Sequence, residues 1–342
     1  MSLINTAIRA VERLPLPDTL TLAGIDYLVG RTGSRLEREG DAIDRTFAAD
    51  MINFPIAQYT DEANTQHYEL PAEFFALALG PQRKYSSCLF LNDNSSLAEA
   101  ETAALAATAE HAALADGQRI LELGCGWGSL TLWMAAHYPN ATITAVSNSA
   151  SQRVFIEAAA RERGLGNVTV MTADMNAFVP AGRYDRVVSV EMFEHMANWR
   201  SLLTRVRDWL VPEGFLFLHV FTHRTAPYRF DPADEADWIA QHFFTGGIMP
   251  SHRLIRQFPD LFDLVEEWRW NGRHYARTAM AWLENFDRNR AEIDRILQNV
   301  YGADAALWRR RWRLFFLATA GLFGHLQGEP WGVSHYRLRP VP

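Results

Sequence analysis

The sequence predicts a doubly wound α/β domain, a mostly parallel sheet with helices on both faces. Three observations point there. Short apolar segments alternate with amphipathic helical ones through the middle of the chain, a glycine-rich turn closes the first apolar segment, and polar or titratable residues follow the ends of several others.

The elements follow in order. Residues 1–80 read as helical segments broken by Pro15, Pro17, Gly30, Gly33, Pro55 and Pro71, with no β-branched alternation, and residues 1–94 are taken as a helical N-terminal cap. The opening pattern of Leu3, Ile4, Ala7, Ile8 and Val11 is amphipathic and lacks the continuous apolar stretch of a signal peptide. Residues 95–114 form an alanine-rich helix with Ser95 or Ser96 as its cap, Glu99 as the reciprocal acid, and Asp116-Gly117 as its stop. Strands are expected over residues 119–123, 141–146, 168–172, 184–190 and 215–220, with helices over 151–163 and 199–210. Residues 222–312 break that rhythm with Pro227, Pro232 and Gly246-Gly247 and read as an inserted helical lid; residues 331–338 supply a last strand, closing a main domain over 95–342. The apolar run over 314–323 has about half the length a bilayer crossing requires, so a buried helix is expected.

Composition narrows the function. The chain has 342 residues, 48% hydrophobic, and a formal net charge of −7, which excludes the basic footprint that nucleic-acid binding needs. The two cysteines, Cys88 and Cys125, have no zinc or disulfide spacing, so no metal is expected and a reducing, cytoplasmic setting fits. Arg309, Arg310, Arg311 and Arg313, beside Trp308 and Trp312, read as a solvated helix face or as a contact for an acidic lipid or substrate. An apolar cap rich in aromatics is compatible with a homodimer.

The strongest local signal is Leu121-Glu122-Leu123-Gly124-Cys125-Gly126-Trp127-Gly128, where a strand passes through three glycines into a helix. Such a turn lets the backbone approach a ligand while a helix N-terminus faces it. Glu122, just before the first glycine, suits a ligand carrying a cationic amino-acid moiety better than a pyrophosphate. Ser147, Asn148 and Gln152 follow the second strand and can bond a ribose, and the acid that a dinucleotide site wants there is missing. Asp174 and Met175 follow the third strand; Asp174 either accepts from an adenine amino group or caps a helix. After the fourth strand come Glu191, Glu194 and His195, two carboxylates and an imidazole within five residues, the clustering that general-base chemistry uses. His219 and His223 belong to the fifth strand and its exit, without the carboxylate spacing of a metal site; they read as polar lining.

These motifs carry a family resemblance running from about residue 66 to the end. Lys84-Tyr85-Ser86-Ser87-Cys88, the glycine loop with Trp127, residues 190–196, Trp238 with the run from His242 to Ser251, and Asn271-Gly272 with His274-Tyr275-Ala276 together make the chain resemble the cyclopropane-fatty-acid synthase superfamily of methyltransferases, within it most the coclaurine/pavine-type N-methyltransferases. The resemblance implies a class I, Rossmann-like sheet of seven strands whose last is antiparallel, and S-adenosylmethionine as cofactor. The cofactor site so implied comprises Tyr85, Ser86, Glu122, Gly124, Gly126, Ser147, Asn148, Gln152, Asp174, Met175 and Glu191.

In the synthases a bicarbonate base sits among a cysteine, a glutamate, a histidine, an isoleucine and a tyrosine. Glu194, His219 and Tyr275 match, but Ser87 stands at the cysteine and Phe221 at the isoleucine. Glu191 occupies a position where the synthases carry a small residue and the amine methyltransferases a glutamate. The expectation is therefore methyl transfer to a small-molecule amine, with Glu191 and His195 assisting deprotonation and Glu194 placed with them. Glu194, His219, Phe221, Phe243, Phe244 and Tyr275 are expected to hold the acceptor, with the cap contributing. The rival is modification of unsaturated acyl chains, as in a cyclopropane-fatty-acyl-phospholipid synthase, which requires membrane contact. A catalytically silent cofactor-binding protein is the other rival, and the intact Glu191/Glu194/His195 cluster argues against it.

Overall fold

The structure is a computed structural model that describes residues 12, 16–40, 42–58, 70–234 and 237–342; the amphipathic pattern expected over residues 3–11 lies outside them. Strands β1 (Arg119–Leu123), β2 (Thr142–Ser147), β3 (Val168–Thr172), β4 (Tyr184–Val190), β5 (Leu210–His223), β6 (Phe262–Asn271) and β7 (Trp331–Pro340) form one seven-stranded sheet in the order β3-β2-β1-β4-β5-β7-β6. The first five run parallel, and β7 lies antiparallel between β5 and β6. Strand order reverses beside β1, so a crevice opens outside the carboxyl ends of β1 and β4, where ligands of such sheets bind.

Two elements differ from expectation. β5 begins at Leu210 rather than 215, because Pro212-Glu213-Gly214 reads as a turn, whereas here the chain runs through it with an irregular register between the Tyr184↔Leu210 and Arg186↔Phe215 pairs. The span 222–312 holds more than a helical lid, since β6 within it is a sheet edge. Its exposed Glu266 and Glu267 and its Arg269 replace the apolar pattern that marks buried strands.

Helices α1 (Asp18–Leu36), α2 (Ile43–Asp50) and α3 (Ala72–Ala78) precede the sheet, and α4 (Leu97–His111) leads into β1. Ser96 caps α4 in a full capping box with Glu99, which fixes where that helix starts. α5 (Ser129–His137), α6 (Ala150–Glu162) and α7 (Trp199–Trp209) are the crossovers. Alternation along the strands divides the core: Ile120, Ile143, Val188 and Phe217 pack on one face with Met134, and Leu121, Val146, Val187 and Leu218 on the other with Trp199, Leu202 and Val206.

Beyond the sheet come α8 (Trp238–His242), α9 (Arg273–Arg288), α10 (Arg290–Tyr301) and α11 (Ala305–Gly324). α11 binds the early helices to this layer. Trp312 is fully buried against Phe74, Phe75 and Phe243, at centroid distances of 4.8, 6.2 and 5.1 Å. Each large apolar side chain buried this way stabilises by about 1.5–3 kcal/mol. Gly321 allows α1 to approach, because a Cβ there would stand 2.5 Å from Ile25 Cγ2. The arginine cluster is tied internally: Arg309 pairs with Asp294, Arg310 donates to the Glu12 carbonyl, Arg311 pairs with Glu12, and Arg313 pairs with Asp18 and Asp287. The cluster is thus a partly exposed helix face on which every one of these arginines already has a protein acceptor. Among the described residues no helix is long and apolar enough to cross a membrane.

Candidate active site

A cavity of about 1110 Å³ opens at the carboxyl ends of β1, β2 and β4 and extends under α1 and α11. The side expected to hold the cofactor is built by the turn after β1. Gly124, Gly126 and Gly128 have φ of +79, +51 and +78°, the left-handed region that favours glycine. They serve different ends. A Cβ on Gly124 would press on Met192 and one on Gly128 on Ile156, both at 2.6 Å, whereas a Cβ on Gly126, a cavity-lining residue, would meet no atom within 4 Å. Gly126 therefore keeps a cradle open, and the N-terminus of α5 behind it has no side-chain cap.

Around that cradle lie buried polar atoms without a partner among the described residues: Gln152 Nε2, Ser129 Oγ and Trp127 Nε1. Buried donors in this condition want a ligand's acceptors. Ser147 Oγ donates to Gln152 Oε1 at 2.6 Å, which turns the Gln152 amide so that its NH₂ remains for something else. Glu122 is almost fully buried, accepts from Thr131 Oγ1 at 2.5 Å, and has its pKa pushed up by burial to about 8. Tyr85, Ser86, Asn148, Asp174, Met175 and Glu191 also line the cavity. Asp174 caps a turn rather than a helix, accepting from the backbone N–H of Asn176 at 2.8 Å. All eleven residues expected at the cofactor thus face one cavity, and the unpartnered donors and the open cradle fit S-adenosylmethionine.

The floor of the cavity is Glu191. It directly follows β4 with φ +48°, a left-handed conformation that costs a non-glycine residue on the order of 1–3 kcal/mol and is held by its N–H donating to the His219 carbonyl at 2.8 Å. The side chain is only 7% exposed. Its Oε1 accepts from the Ser87 N–H at 2.9 Å and lies 3.2 Å from His219 Nε2, while Oε2 accepts from the Tyr275 hydroxyl at 2.6 Å. Burial raises the Glu191 pKa above the usual carboxylate range, opposed by the Lys84 ammonium and the Tyr275 hydroxyl. Lys84, itself buried, donates to Ser86 Oγ and the Ser87 carbonyl at 2.5 and 2.6 Å, which fixes the segment that presents the Ser87 N–H.

His195 lines the cavity with its ring 4.3 Å from that of Phe244, and Phe221, Phe244 and Tyr275 are also on the wall. Three residues expected to touch the acceptor do not reach the cavity surface. Glu194 is fully buried, its Oε1 accepting from the Phe221 N–H at 2.6 Å, and burial plus the Glu191 charge raise its pKa well above normal. His219 is fully buried behind Glu191. Phe243 stands behind the wall and stacks on Phe315 at 4.6 Å, so Phe315 is the ring that faces inward. His223 is also off the cavity, accepting from the Ala226 N–H at 3.2 Å.

Of the roof, sequence reasoning expected the share of the cap but missed that of α11. α11 lines the cavity with Leu314, Phe315, Ala318, Thr319, Leu322 and Phe323, and α1 with Leu20, Thr21, Gly24 and Leu28. The signal was present in the spacing along 314–323, whose apolar face was assigned only to burial.

The family model for mycolic acid cyclopropane synthetase matches residues 57–326. The chain is 38% identical over 285 residues to the (S)-coclaurine N-methyltransferase of Thalictrum flavum subsp. glaucum, covering 82% of this chain and 79% of that one. It is 34% identical over 275 residues to the cyclopropane-fatty-acyl-phospholipid synthase of Escherichia coli (strain K12), covering 80% and 67%. The crystal structure of coclaurine N-methyltransferase bound to N-methylheliamine and SAH superposes with a TM-score of 0.91 at 34% identity, covering 99% of this chain and 100% of the other.

Proposed function

From a chain that belongs to the mycolic acid cyclopropane synthetase family and is an S-adenosylmethionine-dependent methyltransferase, we infer methyl transfer to the nitrogen of a small-molecule amine of the coclaurine class. One observation carries this reading. The Glu191 carboxylate is gripped by the Ser87 N–H, His219 and Tyr275, and the resemblance to cyclopropane synthases matches these positions to ones around their bicarbonate base, which supports a fixed carboxylate in the role of that ion.

Bound S-adenosylmethionine supplies an electrophilic methyl group on a sulfonium. The residues of the chain must align a nucleophile with it and exclude water. A secondary amine with a pKa near ~10 is mostly protonated at neutral pH, and freeing its lone pair costs roughly 4 kcal/mol. Glu191 takes that proton, with His195 assisting from the wall. Burial makes Glu191 a stronger base than an ordinary carboxylate, and its negative charge attracts the incoming ammonium. Glu194 stays protonated beside it, so the two carboxyls carry one charge, and acts by fixing the backbone at Phe221. Phe221, Phe244 and Phe323 enclose an aromatic acceptor, with Phe323 stacked on Tyr275 at 4.4 Å. The cap over residues 1–94 closes the site through α1, over the domain of residues 95–342.

The test is to incubate the protein with methyl-labelled S-adenosylmethionine and either (S)-coclaurine with other secondary cyclic amines, or vesicles of unsaturated phospholipid. Both reactions add one CH₂, so the acceptor that becomes labelled decides. Label in an amine is expected; label only in lipid would overturn the reading.

A further inference from the structure

The Gly246-Gly247 pair in the span 222–312 has no part in the methyl-transfer chemistry, yet it decides where one wall of the acceptor space stands. Residues 244–247 form a tight turn, closed by the Gly247 N–H donating to the Phe244 carbonyl at 3.2 Å. Gly246, at its third position with φ +74°, meets the turn's demand for a left-handed residue. Gly247 is outside that region, so the turn makes no such demand of it. It lies instead against a ring: a Cβ on Gly247 would collide with Cδ1 and Cε1 of Phe244.

Gly247 is buried and off the cavity, whereas Phe244 is half-buried and on its wall, so the ring stands between the glycine and the acceptor. The backbone cannot retreat. Besides the turn bond, the Gly247 carbonyl accepts from the Phe230 N–H at 3.0 Å, and the next two residues, Ile248–Met249, pair antiparallel with Tyr228–Arg229. The ring is the far end of a side chain, and its neighbours His195, Phe230 and Phe221, at centroid distances of 4.3, 4.9 and 5.5 Å, line the cavity with it. A methyl group at 247 therefore moves the ring rather than the turn, and the open side is the cavity. Reaching an ordinary carbon–carbon contact of about 3.5–4.0 Å takes a ring shift of more than about 1 Å. The cavity of about 1110 Å³ exceeds the roughly 300–1,000 Å³ usual for one small ligand, which leaves room beside the cofactor for an acceptor with more than one ring system.

We propose that Gly247 determines which amines the protein accepts: by letting Phe244 lie back on the turn it admits a secondary amine that bears a further aromatic arm, and a side chain at this position confines the protein to compact amines. The proposal rests on the reading that the acceptor is a small-molecule amine. Gly247 acts through Phe244 and is a specificity-determining residue, without contact to the reacting atoms.

The test compares 1,2,3,4-tetrahydroisoquinoline with its 1-benzyl derivative as acceptors for the full chain and S-adenosylmethionine. The two share a ring nitrogen and differ by one aromatic arm. In Gly247→Ala the ratio of kcat/KM for the benzyl compound to that for the plain bicycle is expected to fall at least about tenfold, chiefly through KM. A displaced His195 would slow both amines alike, so the ratio isolates the room for the arm. Where the ring is gone the methyl group has nothing to move: in a Phe244→Ala background, adding Gly247→Ala should change the ratio less than about twofold. An unchanged ratio in Gly247→Ala would overturn the proposal, as would an equal fall with and without the Phe244 ring. Loss of S-adenosylhomocysteine binding in Gly247→Ala, measured by calorimetry, would also overturn it, because the glycine would then serve the fold and not the choice of acceptor. Methylation of neither amine by the parent removes the amine reading and the proposal with it. Methylation of both with the ratio held in Gly247→Ala, or of the plain bicycle alone by the parent, removes only the proposal.

Discussion

The two sides of the cavity are built on opposite plans. The cofactor side comes largely from one stretch, residues 122–152, and works through backbone: three left-handed glycines, an uncapped helix N-terminus, and a serine–glutamine pair that leaves one buried amide unpartnered. The acceptor side is assembled from distant segments, with Ser87, Glu191, His219 and Tyr275 meeting around one carboxylate, and works through side-chain charge. A site of the first kind tolerates no added atoms, and a site of the second tolerates no lost ones. Damage on one side should therefore appear in cofactor affinity and on the other in turnover.

The largest effect should come from filling the cradle. Gly126→Val places a β-branched residue at φ +51° with its side chain in the cavity, and S-adenosylmethionine affinity measured by calorimetry should fall roughly 100-fold or more. Retained affinity would show that the cofactor lies elsewhere. Tyr275→Phe removes the hydroxyl that donates to Glu191 at 2.6 Å but keeps the stack on Phe323, so kcat should drop about tenfold with cofactor affinity intact. The missing donor also raises the Glu191 pKa further, so the rise of rate with pH should move to higher pH; a shift downward would contradict a basic role for Glu191.

Smaller effects sharpen the contrast. Gln152→Leu loses one hydrogen bond to the ligand and should weaken cofactor binding several-fold, by about 1 kcal/mol, with kcat at saturation unchanged. Glu122 adds a cost in stability. Its folded pKa of about 8 exceeds its ordinary value of 4.5, so its contribution to stability is full below about 4.5 and is lost as pH rises toward 8. Glu122→Gln should remove that loss, flattening the fall in Tm between pH 5 and pH 8; an equal fall in parent and variant would place the titration elsewhere.

The same division decided what could be read from the sequence. The glycine loop, Ser147, Gln152 and the capping box at Ser96 are local patterns whose spacing carries their geometry, and the strand–helix alternation is visible wherever strands are buried on both faces. β6 escaped because Glu266, Glu267 and Arg269 interrupt the apolar run that marks a buried strand, and β5 was shortened because Pro212 and Gly214 look like a turn. On the acceptor side the residue types at Glu191, Glu194 and His195 were visible, but not which of them face the cavity. Neighbours in sequence at a strand end point in different directions, so Glu191 reaches the cavity while Glu194 turns into the core.

The central claim is that a protein carboxylate removes the proton that blocks methyl transfer, and Glu191→Gln tests it most directly when kcat and cofactor affinity are measured on the same preparation with a secondary amine. Turnover lower by about 10²–10⁴-fold with unchanged S-adenosylmethionine affinity is the predicted result. Turnover at the parent's level would contradict it, leaving Glu191 a structural residue and alignment alone to do the chemistry.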